Sequence, residues 1–84
     1  MEVDVALGED GGVCALRLTD AAGADLLAAR VRGASRAPAE WSELPALSLE
    51  AIGARLRDAL AAARVRLPRD RRRQRAFEHL WAMA

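Results

Sequence analysis

Residues 13–19 read Val13-Cys14-Ala15-Leu16-Arg17-Leu18-Thr19. Cys14, Leu16 and Leu18 alternate with Ala15, Arg17 and Thr19, so an extended chain puts the apolar set on one face. The flanking runs repeat the period. In residues 2–7, Val3, Val5 and Leu7 alternate with Glu2, Asp4 and Ala6; in residues 25–32, Leu27, Ala29 and Val31 alternate with Ala28, Arg30 and Arg32. Glycine- and aspartate-containing stretches, Gly8-Glu9-Asp10-Gly11-Gly12 and Asp20-Ala21-Ala22-Gly23-Ala24, separate the three runs as turns. The pattern predicts a three-stranded antiparallel meander.

Keeping the apolar sets on one face sets the register, because a slip of one residue turns every side chain over. Leu7 then opposes Cys14, Val5 opposes Leu16, and Val3 opposes Leu18. In the second hairpin Leu18 meets Leu27, Leu16 meets Ala29 and Cys14 meets Val31. Asp4 falls opposite Arg17 on the outer face, as a cross-strand ion pair.

The apolar face of such a sheet needs a cover. Ser48 is a suitable helix N-cap with Glu50 in the first turn. Leu49, Ile52, Leu56, Ala59, Leu60 and Ala63 then recur at helical spacing. This predicts a helix over 49–65 that stops before Pro68 and lies on the meander. Between strand and helix, residues 33–47 form a long connection whose Trp41, Leu44 and Leu47 should tuck inward. In residues 69–84, Asp70 can cap a second helix with Phe77, Leu80, Trp81 and Ala84 on one face. Arg71, Arg72 and Arg73 in its first turn oppose the helix dipole, a local cost of the kind met where function or a partner compensates. The expected fold is α+β: residues 1–67 form the meander and its helix. Residues 68–84 form an arginine-rich C-terminal helix, either part of the same domain or a docking tail.

Charge is strongly polarised along the chain. Residues 1–50 hold nine acids and four arginines, a net of −5, and residues 51–84 hold nine arginines and three acids, a net of +6. All 13 basic residues are arginine, which together with abundant alanine resembles the usage of a high-GC bacterial genome. The length, 84 residues, allows one domain with a thin core. One cysteine excludes an internal disulfide and points to the cytoplasm; no leader-like segment opens the chain, and no apolar run approaches the roughly 20 residues of a membrane span.

Catalytic groups are sparse. A Cys–His nucleophile pair needs the two groups in hydrogen-bond reach. Cys14 reads as an inward residue of the central strand, and His79 lies off the apolar face of the last helix. One thiol and one imidazole give no metal-ligand spacing, and the acids of residues 8–12 lack a calcium-loop pattern. The expectation is a non-enzymatic protein with no cofactor and no metal. The strong signal is arginine: seven of the twelve residues from Arg64 to Arg75. Arginine pairs bidentately with carboxylate or phosphate. The plain reading of the run is a solvated, self-repelling stretch; among binding readings, acidic protein surface, the chain's own or a partner's, is favoured over nucleic acid, because the acidic front half would repel a phosphate backbone. Phe77, Leu80 and Trp81 are either core or an anchor in a partner's groove, and Trp41 poses the same choice. The candidate partner-binding residues are therefore Arg69, Arg71, Arg72, Arg73, Arg75, Phe77, Leu80, Trp81 and Trp41.

Residues 53–60, Gly53-Ala54-Arg55-Leu56-Arg57-Asp58-Ala59-Leu60, follow a meander with acidic glycine turns and a leucine-containing linker, and precede Arg64-Val65-Arg66-Leu67. This order resembles the segment that leads into the caspase-like protease domain of bacterial CHAT proteins. The resemblance covers residues 2–67. The catalytic His and Cys motifs of those proteases have no counterpart in the sequence, and Arg69 onward matches nothing in that family. The resemblance implies a small accessory subunit, adaptor or inhibitor in a bacterial defence system. The expected function is non-catalytic protein–protein interaction, with a nucleic-acid-associated regulator as the alternative.

Overall fold

A computed structural model describes residues 1–62 and 64–84. Strands β1 (Glu2–Leu7), β2 (Val13–Thr19) and β3 (Asp25–Val31) form the meander. A 3-10 turn (Ala39–Trp41) and a two-residue strand β4 (Ala46–Leu47) follow, then helices α1 (Leu49–Ala62) and α2 (Arg71–Met83). The chain is an α+β domain. Its sheet has four strands rather than three, in the order β1-β2-β3-β4, with β4 parallel to β3. The long connection supplies the extra strand. Arg30 N–H donates to the Pro45 carbonyl and Arg32 N–H to that of Leu47, both at 2.8 Å.

Most of the expected register is present: Val3↔Leu18, Val5↔Leu16, Leu18↔Leu27 and Leu16↔Ala29. The pairs expected for Cys14 are not. Leu7 opposes Val13, and the register shifts between Ala6 and Leu7, which leaves Cys14 as a bulge residue. The turn is the cause. Gly8 N–H donates to Gly12 O (2.8 Å), Gly11 N–H donates to Gly8 O (3.0 Å), and Gly11 takes a left-handed φ of 82°. That closed loop dictates the final pair, and the strand absorbs the odd residue. Residues 20–24 repeat the device with Gly23 at φ 87°, and Leu26 becomes the extra residue there.

The bulge changes which face Cys14 serves. Val3, Val5, Val13, Leu16, Leu18, Leu27 and Ala29 form the main core with Ile52 and Leu56 of α1 and Phe77 and Leu80 of α2. Cys14 instead joins Ala6 and Ala15 in a second cluster, on which Ala37 and Trp41 pack. The residue 33–47 connection thus covers the outer face of the sheet, while the helices cover the inner one.

Both helices share that inner cover: α1 contacts β3, and α2 contacts β1 and β2. A three-strand width of about 14 Å exceeds one helix diameter of about 10 Å, so a single helix leaves apolar surface open. The C-terminal segment packs on the same core as α1, through Phe77 and Leu80. Ser48 Oγ caps α1 by accepting from Ala51 N–H (3.1 Å), and Asp70 Oδ1 caps α2 by accepting from Arg72 N–H (2.9 Å). The expected extension of α1 to residue 65 is not seen. Ala63 lies outside the described residues, and Arg64 and Val65 are non-helical. Arg66 is drawn alongside β1, where its N–H donates to Met1 O (2.8 Å) and its carbonyl accepts from Val3 N–H (2.9 Å).

Candidate functional site: an arginine-rimmed groove on the last helix

Helix α2 exists because Asp70 closes its first turn and because Phe77 and Leu80, one turn apart, enter the core. Those two side chains are 3% and 6% exposed. This corrects the candidate set: Phe77 and Leu80 hold the domain together and offer no free anchor to a partner. Trp81 is half-buried against the same core. Trp41 is half-buried on the opposite sheet face, with the Arg17 guanidinium 5.2 Å from its ring centroid. Arg17 also pairs with Asp25 (Nε to Oδ1, 3.4 Å) and not with Asp4, which only opposes it in register. The contact lacks hydrogen-bond geometry, so Nε is left without a hydrogen-bond acceptor among the described residues.

The five exposed arginines at and before the start of α2 divide into two groups. Arg69 and Arg73 line a shallow cleft together with Glu2, Asp4 and Asp70, and Arg73 approaches Asp70 at 4.0 Å. They sit among the chain's own acids. Arg71, Arg72 and Arg75 line a groove of about 850 Å³ that runs along α2. Arg72 lies where the groove adjoins a further cleft beside β1. These three form no ion pair among the described residues.

The groove floor is apolar. Val13, Val31 and Leu49 face Ala76, Leu80 and Met83 across it. Met83 is 63% exposed, one of two large hydrophobic side chains with that character among the described residues; the other is Leu26. Asp10 and His79 complete the polar lining, and Asp10 Oδ1 already accepts from Gly12 N–H at 3.0 Å. The sequence pattern pointed to the arginines but not to this floor, which four separate elements supply. The one local hint was Met83, three residues beyond Leu80 on the same helix face.

Cys14 and His79 lie on opposite faces of the sheet, so the structure does not join them into a nucleophile pair. Cys14 Sγ donates to the Ala6 carbonyl at 3.4 Å. Burial pushes its thiol above the ordinary value, against a lowering by a backbone hydrogen bond, and Asp10 adds to the rise. A raised thiol pKa lowers the thiolate fraction and hence the nucleophilicity at neutral pH. Among the described residues no group of three or more His, Cys, Asp or Glu side chains is placed to hold a metal ion. No helix among them is long and apolar enough to cross a membrane.

The chain matches no family model, no curated protein and no solved structure.

Proposed function

We propose that the protein is a non-catalytic protein-binding module that docks through α2. One observation carries the reading: three arginines with no ion-pair partner among the described residues stand beside an open apolar groove. Arginine enriches protein interfaces, and unpaired guanidinium groups beside apolar surface suit a partner that brings carboxylates. Nucleic acid is the weaker reading, because Arg69 and Arg73 sit among Glu2, Asp4 and Asp70, which would oppose a phosphate backbone. The resemblance of residues 2–67 to the CHAT leading segment extends the proposal to an accessory subunit, adaptor or inhibitor of a larger bacterial protein.

The test is affinity capture from host lysate after nuclease treatment. Wild type and Arg69→Glu/Arg73→Glu should retain a discrete protein that Arg71→Glu/Arg75→Glu loses. Retention of nucleic acid alone, abolished by nuclease, would overturn the reading.

A further inference from the structure

Resting on that reading, we propose that the groove receives an amphipathic helix from a different protein, with carboxylates toward one end. Its acids would meet Arg71, Arg72 and Arg75, and its apolar side chains would lie over Leu80, Met83 and Leu49. The order of residues along α2 sets this polarity. Arg71, Arg72 and Arg75 line the groove in the first two turns together with Ala76, and His79, Leu80 and Met83 line it beyond them. The Met83 end lies beside α1, since Ala84 packs on Gly53 there. Thirteen helical residues span about 20 Å at about 1.5 Å each, enough to lay a helix of three to four turns alongside.

The shape argues for a helix over a small amphiphile. The groove is open along its length, so an acyl chain would keep much of its surface in water. An amphipathic helix buries one face and leaves the other solvated. A flexible, exposed Met83 suits an apolar groove that adapts to its ligand.

Charge argues for a different protein over a second copy. Asp10 and Asp20 direct carboxylate oxygens to turn amides, and Asp25 pairs with Arg17. The other exposed large hydrophobic, Leu26, stands on a strand beside a turn. On α2 Glu78 stands one turn from Trp81, but that ring is half-buried against the chain's own core, so this face offers a second copy's groove no free apolar group.

The experiment uses the full chain and a labelled synthetic 14-residue peptide. Three Glu occupy its first two turns, and Leu follows at helical spacing. Fluorescence anisotropy should show saturable binding that weakens with salt, as expected for carboxylate–arginine pairing. The Lys-for-Glu peptide should bind at least about tenfold more weakly, since like charges then face each other. Arg71→Glu/Arg75→Glu and Met83→Glu should each weaken binding by about tenfold, and Arg69→Glu/Arg73→Glu by less than about threefold. Circular dichroism melts of each variant separate lost binding from lost fold, because all five positions are exposed. Equal affinity for the Glu and Lys peptides would overturn the proposal. So would binding of dodecanoate without the Glu peptide. Concentration-dependent dimerisation in sedimentation that Met83→Glu abolishes, with no peptide binding, would replace the occupant with a second copy while the protein-binding reading stands. Nuclease-sensitive retention of nucleic acid alone would remove that reading as well.

Discussion

The guanidinium of Arg17 lies over the ring of Trp41, 5.2 Å from its centroid, and joins the central strand to the connection that crosses it. Trp41 also packs on the small cluster of Ala6, Cys14 and Ala15. A residue that the sequence leaves between core and docking anchor is therefore the lid of the outer sheet face. Trp41→Ala should cost about 2 kcal/mol, below the range for a fully buried tryptophan because the ring is half-buried. It should also speed alkylation of Cys14 by a thiol reagent. Unchanged alkylation with unchanged melting would show that the lid reading is wrong.

Phe77 fastens α2 over β1 and β2. Phe77→Ala should cost about 3–5 kcal/mol, enough to unfold much of so small a domain. Trp81→Ala should cost about 1–2 kcal/mol, since its ring is only half-buried. Thermal melts of the two variants check the order. A Phe77→Ala protein with wild-type melting would mean that α2 is not needed to cover the sheet.

Gly53 is tested by size. A Cβ built there would lie 2.7 Å from Ala84 Cβ, closer than real contacts allow. Arg57 holds the same residue by donating to the Ala84 carbonyl at 3.1 Å. Gly53→Ala gains about 1 kcal/mol of helix propensity and loses a similar amount in displacing Ala84, so its melt should stay near wild type. Gly53→Leu cannot be absorbed and should cost about 2 kcal/mol or more. Hydrogen exchange at the end of α2 should quicken in both variants. Full protection in Gly53→Leu would show that the contact is slack.

Cys14 gives a pH prediction with a definite sign. Its folded-state pKa is raised, chiefly by burial. The stability tied to the neutral thiol is complete below the unfolded pKa of about 8.5 and is lost as pH rises through the folded value. Wild type should therefore lose stability relative to Cys14→Ala in denaturant titrations run above about pH 8.5. Parallel curves for the two proteins through pH 10 would show that the thiol ionises as freely folded as unfolded.

The alternation of Val3, Val5, Leu16, Leu18, Leu27 and Ala29 by itself determined the meander, the pairing of those six residues and the apolar face. Side-chain period and turn residues are local properties, written in neighbouring positions. Ser48 and Asp70 likewise marked both helix starts, because capping acts within one turn. Tertiary structure alone decided the rest. The five-residue glycine turns made bulges of Cys14 and Leu26, since loop closure overrides alternation at the last pair. The connection became β4 and a lid because β3 offered an open edge and the outer face an apolar patch. The width of the sheet required two helices, which drew Phe77 and Leu80 into the core. The groove then arose where residues from β2, β3, α1 and α2 meet, a juxtaposition that depends on long-range packing and has no period in the sequence.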